Sequence, residues 1–147
     1  MKSDQVSLAN QICFSVYNAY RLFNRFYKQT LQPFGLTYSQ YLILRSLWQQ
    51  DRKTLHEIGD ELHLSSNTLT PLLKKLEVTG WIQRHHPDDD KRQLVIILTE
   101  KGKRQEIAIH HAIIDRFDSD DFDAEQYHQI LEINQKLISK LTQAINR

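Results

Sequence analysis

The stretch DKRQLVIILTEKG, Asp90 to Gly102, holds the longest aliphatic run in the chain, Leu94-Val95-Ile96-Ile97-Leu98. That run is far too short to span a bilayer and suits a buried strand. Thr99, directly after it, is a helix-capping residue type, so the stretch reads as a strand followed by a helix. Upstream, Trp81-Ile82-Gln83-Arg84 reads as a second strand, with His86-Pro87-Asp88-Asp89-Asp90-Lys91 as the loop of a β-hairpin. Lys91 and Arg92 put two cations near its tip. An arginine on a narrow ribbon suits a minor groove, where negative potential is concentrated.

Towards the N-terminus, Gly80 stands where a helix C-cap belongs, after Leu69, Leu72, Leu73 and Leu76 at i, i+3, i+4, i+7 spacing. That helix opens at Leu64-Ser65-Ser66-Asn67. Pro71 inside it removes a backbone donor and crowds the carbonyl four residues earlier, which predicts a short irregular first turn. A shorter helix capped by Thr54, with Leu55, Ile58 and Leu62 inward, precedes it across a tight turn at His63-Leu64-Ser65. The pair is a helix-turn-helix candidate. Ser65, Ser66, Asn67, Thr68 and Thr70 supply small side chains that donate to and accept from base edges and phosphates, and the terminal amides of the helix favour phosphate. Lys74 and Lys75 follow on the same element. On pattern alone, these residues also fit ordinary capping beside a solvated hairpin loop.

Residues from about Val6 to Thr30 read as one long helix, ended by Pro33 and Gly35. Ile12, Val16, Ala19, Phe23 and Phe26 form one stripe; Cys13, Tyr17, Tyr20, Asn24 and Tyr27 form another. A helix apolar on two faces needs cover on both, and burial in a dimer is the natural supply. Thr37 caps a second helix through Tyr41, Leu44, Leu47 and Trp48, followed by a polar turn from Gln49 to Lys53. Beyond the hairpin, a fifth helix runs from Thr99 to about Phe117. Asp123 caps a sixth, with Ile130, Ile133, Leu137, Leu141 and Ile145 on one face. The reading is a mainly α chain with a small β-hairpin, in the order α-α-α-α-β-β-α-α.

The 147 residues fit a single compact domain with a real core. Formal net charge is only +1, so bulk charge does not advertise nucleic acid. Its distribution says more. From His63 to Arg92 five cations face four acids, whereas from Asp115 to Glu132 seven acids stand against Arg116 alone. The C-terminal region is therefore a poor phosphate partner. The N-terminus lacks the continuous apolar core of a signal peptide, and a single cysteine cannot form an internal disulfide. Together these predict a cytoplasmic protein with no membrane association. His85-His86 and His110-His111 are adjacent pairs, which diverge on a strand or helix. There is no His-x-x-x-His, Cys-x-x-Cys, nucleophile–base motif or glycine-rich phosphate loop, so no metal, cofactor or catalytic residue is expected.

The run Asp90 to Gly102 resembles the wing signature of the MarR family of winged helix-turn-helix repressors, Asp-x-Arg followed by Leu-Thr-x-x-Gly. Ser66-Asn67-Thr68-Leu69-Thr70-Pro71-Leu72-Leu73-Lys74-Lys75-Leu76-Glu77 is similar to that family's recognition helix, proline included. The likeness extends over essentially the whole chain. It implies a homodimeric repressor with dimerisation helices at 1–35 and 100–147 and a winged helix-turn-helix lobe at 37–99. Two recognition helices would enter successive major grooves of double-stranded DNA, with half-sites ~34–36 Å apart. Ser65, Ser66, Asn67, Thr68, Thr70, Lys74, Lys75, Arg84, Lys91 and Arg92 would meet the DNA, Arg92 as the minor-groove probe held in place by Asp90.

A lone cysteine on a helix is commonly a small hydrophobe, and tyrosines at helical spacing are commonly core with a wet tip. Tyr17, however, lies one turn after Cys13. A phenol that donates to a thiolate favours the charged form, which is what peroxides attack. Cys13-Phe14-Ser15-Val16-Tyr17 resembles the Cys-Phe-x-x-Tyr of the one-cysteine organic-hydroperoxide sensors, the OhrR type, within the MarR family. Tyr27 and Thr37-Tyr38-Ser39-Gln40-Tyr41 match later tyrosines of that branch, with Ser39 where proline is frequent. The resemblance implies that Tyr27 and Tyr38 reach Cys13 from the partner subunit and that an organic hydroperoxide releases the DNA. With no resolving cysteine, the oxidised sulfur either joins a low-molecular-weight thiol or over-oxidises. A small aromatic acid between dimer helices and reading helices is the alternative effector. A metal-binding or enzymatic role for the seven histidines is the reading from another class.

Overall fold

In the computed structural model, which describes residues 11–117 and 123–147, polar caps set most helix starts. α1 (Ile12–Leu31) runs into a 3-10 turn, Gln32–Phe34, closed by Gly35 at φ 69°, where a Cβ is costly. The expected start of this helix near Val6, and the acids Asp118, Asp120 and Asp121, lie outside the described residues. α2 (Tyr38–Gln49), α3 (Leu55–Leu62) and α7 (Ala124–Ile145) each open with a reciprocal capping box: Thr37 with Gln40, Thr54 with Glu57, Asp123 with Gln126. Ser65 caps α4 (Ser66–Val78) and Thr99 caps α5 (Glu100–Arg104); α6 (Glu106–Phe117) follows.

Local readings change at three places. α4 runs unbroken through Pro71, with no irregular first turn. The proline deprives only the Asn67 carbonyl of its helical partner, and both residues are exposed, where solvent access keeps the cost of the lost bond low. The segment expected as one helix from Thr99 is two, because Gln105 opens the ladder at ψ −9°. Lys53–Thr54, inside and beside the expected polar turn, forms a short strand β1. It pairs antiparallel with β3 (Val95–Leu98), which also pairs β2 (Ile82–His85), giving the sheet order β1-β3-β2.

The reading helix packs by its leucines. Leu69, Leu73 and Leu76 are sealed from water beside Ile43, Leu44 and Leu47 of α2, Ile58 of α3 and Ile96 of β3. On β3, Ile96 and Leu98 are buried while Val95 and Ile97 are half-buried, the alternation a one-faced strand requires. The Leu-Thr-x-x-Gly run now has a physical account. Thr99 Oγ1 donates to the Gly80 carbonyl at 2.6 Å and accepts from the Gly102 N–H at 3.1 Å. The Thr99 N–H donates to the Trp81 carbonyl at 3.1 Å, and Trp48 Nε1 donates to the Gly102 carbonyl at 2.9 Å. Gly102 lies so close to the Trp81 carbonyl that no Cβ fits there. The base of the hairpin is thereby fixed to α5 and α2.

The chain divides into two compact units, one up to Ile113 and one from Ile114 onward. In the first, α1 leaves Ile12, Val16, Tyr17, Tyr20, Leu22 and Phe23 exposed. In the second, α7 leaves Ile130, Ile133, Leu141 and Ile145 exposed. Runs of large apolar side chains on a helix mark surfaces that meet a partner. Among the described residues no helix is long and apolar enough to cross a membrane.

Candidate nucleic-acid interface and thiol site

With its leucines turned inward, α4 shows mainly polar side chains outward over its first three turns, beside Pro71. Ser65, Ser66, Asn67, Thr68, Thr70, Lys74 and Lys75 are all exposed. The turn before them is made by His63 at φ 56°, a left-handed conformation that sequence reading does not anticipate at a histidine. Ser65 Oγ accepts from the Thr68 N–H at 3.4 Å and lies 3.2 Å from Thr68 Oγ1, while Thr70 Oγ1 donates to the Ser66 carbonyl at 2.7 Å. Those three hydroxyls hold the start of the helix together. The exposed side chains of Ser66 and Asn67 take no part in these bonds, and Asn67 offers donors and an acceptor at once.

At the hairpin tip, Arg92 is 98% exposed. Asp90 Oδ1 accepts from the Arg92 N–H at 3.0 Å and lies 3.8 Å from its Nε, so the aspartate braces both backbone and guanidinium. Asp90 itself is held by its N–H to the Pro87 carbonyl, 3.2 Å. Lys91 beside it is exposed. Arg84 is placed differently. Its Nη2 donates to Glu77 Oε1 and its N–H to Glu77 Oε2, both at 3.0 Å. The Arg84 side chain's hydrogen bond, foremost, holds the Glu77 carboxyl below its usual range. Sequence reading placed Arg84 on DNA and left Glu77 without a role; no local spacing joins a helix residue to a strand residue across a corner.

Cys13 is exposed near the start of α1, and its Sγ donates to Gln11 Oε1 at 3.7 Å. Tyr17, one turn on, is exposed beneath the Arg21 guanidinium, 5.8 Å from the ring centroid. Tyr27 and Tyr38 lie elsewhere. They stack at 4.3 Å between centroids, and Tyr41 joins Tyr27 at 5.6 Å. Tyr27 follows Cys13 by fourteen residues of one helix, roughly 21 Å at 1.5 Å per residue. One protomer thus brings the two distal tyrosines together and leaves the thiol apart from them. Beside the stack an open groove of about 690 Å³ runs between α1 and α2, lined by Tyr20, Asn24, Lys28, Leu36, Tyr38 and Leu42 among others. The stacking of Tyr41 on Tyr27 and the lining of the groove were not legible in the sequence. Among the described residues no three histidine, cysteine, aspartate or glutamate side chains gather as a metal site.

The SarA/Rot family of transcriptional regulators matches residues 25–109. The chain belongs to that family of transcriptional regulators, and it shares the fold of MarR. Over 102 residues it is 46% identical to the HTH-type transcriptional regulator TtmR of Methylorubrum extorquens (strain PA1), covering 69% of this chain and 52% of TtmR. It thus spans about half of that relative's length. Over 101 residues it is 42% identical to the organic hydroperoxide resistance transcriptional regulator of Bacillus subtilis (strain 168), 69% of each chain. Among solved structures, reduced AbfR bound to DNA superposes with a TM-score of 0.85 at 46% identity, covering 99% of both chains. AbfR of Staphylococcus epidermidis is also known overoxidised on DNA and in a disulfide form.

Proposed function

We propose that this regulator is a cytoplasmic homodimeric repressor whose grip on a pseudo-palindromic DNA operator is released when an organic hydroperoxide oxidises Cys13. One observation carries the reading: the thiol and Tyr27, the α1 member of the tyrosine stack, stand towards opposite ends of the same exposed apolar helix. Tyr20 lies midway between Cys13 and Tyr27. If two copies of α1 pair antiparallel about Tyr20, the Cys13 of one protomer comes against the partner's Tyr27 and the partner's Tyr38, at the mouth of the groove. Such a twofold pairing is isologous and also covers the exposed apolar stripes. In this reading helices within 1–35 and 100–147 dimerise and 37–99 forms the DNA-binding lobe. The B. subtilis relative's name and the redox forms of AbfR support the same chemistry.

The chemistry follows from the groups assembled. The Cys13 thiolate attacks the terminal oxygen of R–O–O–H. The O–O bond breaks, the hydroxyl goes to sulfur, which is oxidised by two electrons to sulfenic acid, and the alkoxide RO⁻ leaves and takes a proton from water as R–OH. Phenols at the partner's Tyr27 and the partner's Tyr38 donate hydrogen bonds to the thiolate before attack and to the departing oxygen during it. A low-molecular-weight thiol then condenses with the sulfenic acid, releasing water and leaving a mixed disulfide. Added bulk in a packed interface shifts the two reading heads.

On the DNA side, α4 enters the major groove with Ser65, Ser66, Asn67, Thr68 and Thr70, Lys74 and Lys75 track phosphates, and Lys91 and Arg92 reach along the wing. A second reading has a specific feature in its favour. The groove presents the rings of Tyr20 and Tyr38 beside Lys28, the one cation of its lining among the described residues, a fit for a small aromatic acid. A gel-shift titration with cumene hydroperoxide, with and without dithiothreitol, separates the two. Reversible loss of binding in wild type but not in Cys13→Ser is expected. Equal release of both proteins by the peroxide, or of neither, refutes thiol sensing.

A further inference from the structure

We propose that Arg84 takes no DNA phosphate but is a positioning residue: paired with Glu77, it locks the wing to the reading helix so that both meet DNA at one fixed angle. This rests on the DNA-binding reading above. Arg84 spends two donors on one carboxylate, backbone N–H to Oε2 and Nη2 to Oε1, each 3.0 Å, so both oxygens of Glu77 are taken by a single residue. The Arg84 side chain is 26% exposed, against 98% for Arg92 at the tip. A guanidinium swung out to a phosphate would strand the Glu77 anion close to the DNA, adding repulsion where it was meant to remove it.

Position on the strand matters as much as the pairing. α4 and β2 meet at a corner that Gly80 turns at φ 85°. The Trp81 N–H to Leu76 carbonyl bond, 2.9 Å, and the Gly80 N–H to Glu77 carbonyl bond, 3.0 Å, lie at the corner itself. They close the turn but give little purchase on the angle between helix and ribbon. Arg84 acts further along β2, where it is paired with Ile96 of β3. From there the clamp works on a longer arm and fixes the direction in which the strands carry Lys91 and Arg92.

Fluorescence anisotropy on a labelled duplex, selected from a random library by the wild-type chain, gives the Kd as a function of KCl. Circular dichroism confirms that each variant is folded. Arg84→Gln and Glu77→Gln should each weaken binding by roughly threefold to tenfold, the range a half-exposed ion pair counted in both protomers supplies. Both should keep the wild-type slope of log affinity against log salt, and Arg84→Lys should recover part of the loss. Adding Arg92→Ala to Arg84→Gln should cost less than Arg92→Ala alone, because a misdirected wing has less to lose. A slope shallower by about 0.9 for each phosphate that Arg84→Gln no longer neutralises overturns the proposal. So does a Glu77→Gln protein that binds more tightly with a steeper slope, since that variant frees Arg84. Should Arg84→Gln not fold, Glu77→Gln decides alone, because the two accounts predict opposite signs for it. A wild-type chain that selects no duplex overturns the DNA reading as well; tighter binding by Glu77→Gln overturns this proposal only.

Discussion

Gly102→Ala sets two general rules against each other at one position. Gly102 sits inside α5, where exchanging glycine for alanine ordinarily stabilises a helix by up to about 1 kcal/mol. Here the new methyl would stand well inside contact distance of the Trp81 carbonyl oxygen and 3.1 Å from Leu98 Cδ2. The obstacle is backbone, and it is held: that carbonyl accepts from the Thr99 N–H and from Thr99 Oγ1, both at 3.1 Å. On the other side the Gly102 carbonyl is tied to Trp48 Nε1. Making room means moving α5 away from the hairpin base and stretching at least two of these bonds, each worth about 1 kcal/mol net. Strain in the packing around Leu98 adds about 1–3 kcal/mol. After the propensity gain is returned, the net loss is about 2–4 kcal/mol, or roughly 5–15 °C in Tm for a chain of this size. Thermal unfolding at fixed protein concentration reads it directly, fixed because association shifts Tm. A Gly102→Ala protein that melts with wild type or above it would refute the steric argument.

Leu73→Ala empties a fully buried position on the inward face of α4 and should cost about 2–5 kcal/mol in urea unfolding; a loss under about 1 kcal/mol would mean the core collapses around it. Glu61 is held below its ordinary 4.5 foremost by the Lys53 hydrogen bond and then by that of Ser46. The unfolded chain therefore takes up this proton first as pH falls, so the stabilisation is whole above about 4.5 and drains below it. Glu61→Gln should flatten that acid limb of urea midpoints, and identical limbs for the two proteins would contradict the assignment. Phe23→Asp puts a charge on the exposed apolar stripe of α1 and should shift the sedimenting species from dimer towards monomer; an unchanged dimer would place the interface elsewhere.

What the sequence disclosed was local. Thr37, Thr54, Thr99 and Asp123 all cap helices as read, because a cap is decided by residues within one turn of each other. Leu69, Leu73 and Leu76 pointed inward because periodicity alone fixes a helix face. What it hid was joined across distance. Lys53–Thr54 carries no pattern of its own and becomes a strand only because β3 arrives beside it. The Arg84–Glu77 clamp and the Trp48–Gly102 bond link elements that no spacing rule connects. The tyrosine site was half legible. Tyr27 was visible in the spacing of α1 and Tyr38 in the family resemblance, but their stacking with Tyr41 depends on how α1 lies against α2.

That packing gives α2 a part in how oxidation could reach the DNA. Tyr38, in its first turn, belongs to the stack that the partner's Cys13 would meet. Ten residues on, roughly 15 Å along the helix, Trp48 holds α5 by the Gly102 carbonyl. Between them Ser46 donates to Glu61 on α3 at 2.6 Å, and Lys53 of β1 donates to the Ser46 carbonyl and hydroxyl and to Glu61. A displacement at Tyr38 therefore has no loop in which to dissipate: the same rigid element is bonded to the helix before the turn, to the edge strand and to the wing's base. Packed elements move between discrete arrangements rather than deform continuously, so even a small shift reaches both reading surfaces. The charge balance makes that shift sufficient. A chain of net charge +1 has little long-range attraction with which to hold DNA once its reading groups fall out of register. In the proposed dimer its affinity would live in a few well-aimed groups, each used twice, so that turning the wing and α4 away from their grooves would be enough to release it.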